Sequence, residues 1–332
     1  MVRKPSFKLE ANGKNITDAI KRNLLNLNFD DKEGYKSDEI SFQVFGIYAK
    51  PAFGEKLKLW LGWANDLSSA NQESGLYFCG SFSVQTVSRD YKAKTTEVRA
   101  TAVNFASPQK DKKRCSWENT SVFAIAGKIA EQNNLNLKTT GADQPVMSEL
   151  QDGISDIEFL YTLCFKLGYK AFIKNDTVIV TPKEAKGDET QTSGTSKNNS
   201  LPEFSINLTD LSSLEITEAN RNSYTAVILE WQDISSGKTK SIKVGKGEQV
   251  YKMQIPEPKS DNEAFKRGEA KLNELQRGGI SGRCETLGAN IVAGGKLKFK
   301  DALGLEKSEF TIKSVSHKLS VENYSVEIEF EG

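Results

Sequence analysis

The apolar residues of this 332-residue chain keep a two-residue period at both ends and a helical period in the middle. In ISFQV, Ile40, Phe42 and Val44 fall on one face. In LKLWLGW (57–63), Leu57, Leu59, Leu61 and Trp63 share one face, and Lys58, Trp60 and Gly62 share the other. FCGSFSV and TTEVRATAVNF follow with turn residues between them, so Phe7 to Phe105 reads as a β region. The C-terminus repeats the pattern: Tyr324, Val326, Ile328 and Phe330 alternate with Ser325, Glu327, Glu329 and Glu331.

The parity of LKLWLGW assigns Trp63 to a core and leaves Trp60 on the polar face beside lysines. Such a Trp is either an anchor that faces a partner or a ring half-covered by a neighbouring strand. Trp117, Trp231 and Phe265 are assigned to structural cores together with Trp63.

Between the β regions, Val122, Ile125, Ala126, Ile129 and Ala130 recur at helical spacing, with Asn119 or Thr120 as the cap. A second helix starts at the capping box Ser155/Glu158, runs through Leu160, Tyr161 and Cys164, and stops at Gly168. KAFIKNDTVIVTP then turns at Asn175-Asp176 as a hairpin. The charged stretch SPQKDKKRCSW (107–117) reads as a solvated connection into the first helix. Residues 183–200 are Ser-, Thr-, Gly- and charge-rich with a single Ala as apolar residue, the composition of a linker or long surface loop. A third helix is signalled at 260–277, capped by Ser260 with Glu263 three residues on and turning Phe265, Gly268, Leu272 and Leu275 inward.

Lys plus Arg (45) nearly equals Asp plus Glu (44), so there is no basic excess of the kind that binds nucleic acid or anionic membranes. No run approaches the roughly 18 apolar residues that span a bilayer, and the N-terminus has no signal-peptide core. The chain is thus expected to be soluble and made in the cytoplasm. Its four cysteines contain no CxxC pair and read as reduced, mostly buried small hydrophobes. The lone histidine, His317, sits in a strand pattern and reads as a structural residue. HExxH, GxSxG, P-loop and GxGxxG motifs are all missing, so no catalytic, cofactor-binding or metal residues are assigned.

The succession PSFKLEANGKNITDAIKRNLLNLNFDD, GEKLKLWLGW, GSFSVQTV, CSWENTSVFAIAGKIAEQNNL and SDIEFLYTLCFKLGYKAFIKNDTVIV resembles the late-control D family of contractile-tailed phages. YTAVILEWQD, AFKRGEAKLNELQRGG and FTIKSVSHKLSVENYSVEIEFE extend the resemblance to the C-terminus. Proteins of that family are tail hubs, similar in fold to the N-terminal part of type VI secretion spike proteins. The resemblance implies an α+β, mainly β chain with two β-barrel-like domains (1–107 and 203–332, the second with the inserted helix) flanking a helix-helix-hairpin module (108–182), with a linker at 183–202. It further implies a non-enzymatic homotrimer, incorporated into a phage tail or phage-tail-like particle, that joins the hexameric tail tube to a trimeric spike and contacts other baseplate proteins. The chain ends soon after its last strand, so the spike is expected to be a separate protein. Two rivals stand beside this reading: a glycan- or peptidoglycan-binding module, on the strength of Trp60 and the middle module, and a cell-wall hydrolase carried at a tail tip.

Overall fold

The computed structural model describes residues 3–34, 37–49, 51–64, 75–102, 112–174, 176–182, 202–218, 224–258, 260–276, 280–305 and 308–332. The expected linker at 183–202 lies outside these residues except for Pro202.

The first region contains β1 (Pro5–Ala11), β2 (Lys14–Asn15), α1 (Thr17–Lys21), β3 (Leu24–Lys32), β4 (Glu39–Phe45), β5 (Lys56–Trp63), β6 (Leu76–Asp90) and β7 (Thr95–Thr101). The middle region contains β8 (Lys113–Ser121), α2 (Val122–Gln132), β9 (Asn136–Thr139), β10 (Pro145–Ile154), α3 (Asp156–Lys166), β11 (Tyr169–Lys174) and β12 (Thr177–Pro182). The last contains β13 (Glu203–Asn207), β14 (Leu211–Glu218), β15 (Ala226–Gln232), β16 (Thr239–Gly245), β17 (Val250–Gln254), α4 (Asp261–Gln276), β18 (Ile280–Leu287), β19 (Lys296–Lys300), β20 (Phe310–Leu319) and β21 (Tyr324–Glu331). The chain is mainly β, as the alternating patterns predict.

The two outer β regions share one hydrogen-bonded sheet, of order β14-β18-β21-β20-β3-β4-β7-β6-β5-β1-β2, with β19 and β13 branching from β20. The junction is the antiparallel pair β3/β20, which sets Phe29 opposite His317 and Leu27 opposite Leu319. A single core runs beneath the sheet, from Phe7 and Leu9 through Phe82 and Val98 to Phe299, Phe310 and Phe330. Burial of apolar area in this shared core stabilises both regions together, at about 25 cal/mol per Å².

The middle region is richer than a helix-helix-hairpin. Its hairpin β11/β12 takes β9 as a parallel third strand, and β8 pairs with β10 as a separate ribbon. The stretch read as a solvated connection is thus partly a strand from Lys113 onward. The ribbon hid from pattern analysis because most of its side chains on both faces are exposed. The cap of α2 is Ser121, whose Oγ accepts from Ala124 N at 3.2 Å, one residue beyond Thr120. Asn119 instead adopts φ +48° within β8. The cap of α3 is as predicted, with Ser155 Oγ accepting from Glu158 N.

In the last region, β16-β15-β17 form a separate small sheet covered by α4, with Val227, Leu229, Trp231 and Ala264 at its centre. Ser260 Oγ accepts from Glu263 N, as predicted for the start of α4. Phe265 departs from its assignment: it is 40% exposed, because the inward row of the helix is Ala264, Gly268, Leu272 and Leu275. Gly268 is required there, since a Cβ would come within 2.5 Å of Val244. None of the four cysteines is in a disulfide; Cys164 and Cys284 are buried and Cys79 partly so, in line with mostly buried thiols, and Cys115 lies exposed on the ribbon.

Candidate functional site

The side chains that join the regions or stand out on their surface fall into three groups, none of which forms a solvent-open pocket of convergent titratable residues among the described residues. The first is the outer face of β1-β5-β6. Trp60 pairs with Lys8 across β1/β5 and with Phe78 across β5/β6. A bulge between Leu59 and Trp60 brings Phe78 into that position. The Trp60 ring is half-buried, with Lys8 Nζ 4.5 Å from its centroid and the Phe78 ring 5.0 Å away. Lys8 is also bound to Glu10 at 2.7 Å. Phe78 is 43% exposed, and Lys58 extends the basic border. Gly62 separates the tryptophans because a Cβ there would fall 2.1 Å from Gly75 O. The aromatic pair forms a covered platform rather than an open stacking cleft.

The second group is buried where the two β regions meet. Trp63 donates from Nε1 to Gly288 O at 2.9 Å, and its ring lies 5.4 Å from that of Tyr324. The Tyr324 hydroxyl contacts His317 Nδ1 at 3.0 Å and the Tyr77 hydroxyl. Tyr77 also reaches His317 Nδ1 at 3.2 Å and Ala289 O at 3.3 Å. His317 stacks on Phe29 at 5.3 Å. Burial pushes the His317 imidazole down to about 3, so it is neutral and acts as a hydrogen-bonding spacer.

The third group is an ion cluster that sequence reading missed, at the meeting point of all three regions. Lys174 of β11 reaches both Asp31 at the end of β3 and, at 3.8 Å, Asp38 before β4. Asp31 Oδ2 accepts from Ala293 N at 2.9 Å, and Asp38 Oδ1 accepts from Lys32 N at 3.0 Å. Glu33 binds Lys170 at 2.7 Å and Lys313 at 3.3 Å. Burial works against the Lys174 ammonium, but Asp38 and Asp31 outweigh it and hold its pKa up. Burial, reinforced by the Asp31 carboxylate against Lys174, pushes Asp38 up to about 7. Asp30 and Asp31 look alike in sequence; only the fold shows that Asp31 is 1% exposed.

This cluster has a signed consequence. Asp38 binds its proton more tightly in the folded state, so it lowers stability progressively as pH rises from about 4 to about 7. His317 acts oppositely: it must stay neutral in the fold, so stability falls as pH drops from about 6.5 toward 3. Over the shared window the two slopes offset each other. Asp38→Asn, which keeps an acceptor for Lys32 N, is expected to raise the slope of unfolding free energy against pH between pH 4 and 7, by on the order of 1 kcal/mol per pH unit. Urea unfolding at pH 5, 6 and 7 checks this, and parallel curves for variant and wild type would refute it.

In the middle region, Trp117 is partly buried, stacks on Phe159 at 5.9 Å and donates to Gln151 Oε1 at 3.2 Å. Asp156, 2% exposed, holds ribbon and helices together through Lys113 at 2.5 Å, Gln151 Nε2 at 3.0 Å and Asn133 Nδ2 at 3.3 Å. Among the described residues, no group of three or more His, Cys, Asp or Glu side chains is placed to hold a metal ion. No helix among them is long and apolar enough to cross a membrane.

No family model matches the chain. It is 24% identical over 245 residues, 72% of its length, to the probable baseplate hub protein of Escherichia phage 186. It is 23% identical over 234 residues to the corresponding protein of Escherichia phage P2. The matched stretches span 59% and 56% of those two proteins. In fold it is similar to a tail protein from Neisseria meningitidis MC58, at a TM-score of 0.66 and 10% identity, over 99% of this chain and 96% of that one. It is also similar to the Escherichia coli c3393 protein, a type VI secretion component described as structurally similar to bacteriophage T4 tail proteins gp27 and gp5, at a TM-score of 0.56 and 13% identity, over 97% and 76% of the two chains. The resemblance to the hub proteins of contractile-tailed phages, first carried by scattered sequence motifs, is thereby supported in sequence and in fold.

Proposed function

We propose that this chain is a structural hub of a contractile injection machine: a homotrimer, made in the bacterial cytoplasm and built into a phage tail or phage-tail-like particle, that joins a hexameric tail tube to a trimeric spike. The observation that carries this reading is the similarity to two phage baseplate hub proteins over most of the chain. The architecture supports it. Two β regions joined in one sheet through β3/β20 stand in a fixed relation in each copy, and three copies would then supply six such regions. The polar groups at the regional junctions serve this rigidity. Neither catalysis nor a cofactor forms part of the proposal.

The test is the solution mass of the purified chain by light scattering at several concentrations. The proposal predicts three times the 36.8 kDa chain mass, alone or on co-expression with the spike. A chain that stays monomeric under both conditions refutes the trimer. Trp60 is proposed as an anchor of the assembly: Trp60→Ala is expected to shift unfolding free energy by less than about 1 kcal/mol while weakening trimer formation at least tenfold. A dilution series read by light scattering checks it, and an unchanged association curve would remove Trp60 from the interface.

A further inference from the structure

Five of the exposed large apolar residues line up along one rim of the large sheet. Val321 lies in the turn between β20 and β21, Leu25 at the start of β3, Phe45 at the end of β4 with Ile47 just beyond, and Tyr91 in the turn between β6 and β7. They are 57%, 46%, 52%, 43% and 70% exposed, respectively. Strand pairing fixes their order, since Leu319 pairs with Leu27, Leu24 with Val44, Phe45 with Thr95, and Thr95 with Asp90. At about 4.8 Å per strand, the row from β20 to β6 extends about 20 Å.

Hydrogen bonds hold the rim rigid. Gly46 N donates to Lys94 O at 2.6 Å, Phe45 N to Asn23 O at 2.8 Å, and Asn23 Nδ2 to the Tyr48 hydroxyl at 2.7 Å. Asp90 Oδ1 accepts from Lys92 N and Ala93 N and so closes the β6/β7 turn. Neighbouring Leu24, Leu27 and Val44 are buried, so the core has its apolar complement without the rim residues. Isolated exposed apolar side chains are ordinary; a continuous row along a fixed edge is not. Lys21, Arg22, Lys92 and Lys94 border the row, exposed and without an ion pair among the described residues. Asp18, Asp90 and Glu322 are the exposed acids nearby, and Asp90 is engaged in closing the β6/β7 turn, so cations outnumber acids along the border by four to three.

We infer that this rim is a docking surface for a protein partner whose facing surface is apolar at its centre and acidic at its border. The inference rests on the hub reading, which requires further proteins stacked on the ends of the trimer. Charge complementarity selects an acidic partner. The row of mostly aliphatic side chains, held at the ends of paired strands and in their turns, matches a rigid protein edge better than a lipid surface, for which interfacial Trp and a long basic helix are the usual anchors. The rim also lies away from the three-region ion cluster, since Leu25 and Asp31 are near opposite ends of β3.

Two double variants test the inference: Leu25→Ser with Phe45→Ser, and Tyr91→Ser with Lys92→Glu, the second confined to an exposed turn. Each tagged chain is supplied to the cells that naturally make it, with the native copy deleted, and is quantified in purified tail particles. Both variants should be incorporated at least tenfold less than wild type, with unchanged melting temperature and unchanged mass of the free chain. Wild-type incorporation of both variants overturns the inference and leaves the hub reading standing. A changed mass of the free chain reassigns the rim to contacts between copies. Flotation of the wild-type chain with phosphatidylglycerol vesicles, lost in both variants, reassigns it to a membrane surface. Absence of the wild-type chain from particles overturns the hub reading and the inference with it.

Discussion

Trp63→Ala is expected to destabilise the chain by about 3–5 kcal/mol, the range for removal of a buried large aromatic. Trp63 is 8% exposed, packs against Tyr324 and donates from Nε1 to Gly288 O. Its loss opens a cavity where the first and last β regions meet and leaves the Gly288 carbonyl without its indole donor. Trp63→Phe keeps much of the ring and loses the donor, so it should cost less, about 1–2 kcal/mol. Trp60, three residues away on the opposite face, provides the control. Urea unfolding of Trp63→Ala, Trp63→Phe and Trp60→Ala should give that order of loss, and equal losses for Trp63→Ala and Trp60→Ala would refute the assignment of faces.

Lys174→Met should be comparably damaging for a different reason. The lysine offsets the buried Asp31 carboxylate, 1% exposed, and also reaches Asp38, which burial already pushes toward its neutral form. Removing one partner of a buried ion cluster leaves uncompensated charge and costs about 3–5 kcal/mol. Because the cluster ties β11 to β3 and, through Ala293 N, to the last region, the loss should also loosen the docking of the middle region. Adding Asp31→Asn, which retains an acceptor for Ala293 N, should recover a large part of the stability by removing the stranded charge. Thermal unfolding of the single and double variants reads this out. A Lys174→Met protein as stable as wild type, or no recovery in the double variant, would show that the cluster is not a structural tie.

Much of the β architecture was legible because one face of most strands around the large core is dry. The parity of LKLWLGW survives in the register, where Leu61 pairs with Phe7 and Leu59 with Leu9, all buried. The helical spacing from Val122 to Ala130 was equally clear, because those five residues are the buried row of α2. The missed features have identifiable physical causes. The β8/β10 ribbon is wet on most of its surface and carries no alternation, and polar bonds through Asp156 help to hold it. Phe265 was placed inward by residue type, whereas small Ala264 and Gly268 allow α4 to approach its sheet. The β3/β20 pairing joins segments nearly the whole chain apart, which no local pattern encodes. The buried carboxylates were invisible for the same reason, since Lys174 and Asp31 meet only through the tertiary fold.

Three copies of this chain are proposed to form the hub of a contractile particle. Counting copies in purified particles, by quantitative mass spectrometry against the tube protein, tests it most directly. Three copies of the chain per particle are expected. Absence of the chain from particles, or six copies matching the tube's own symmetry, would contradict it.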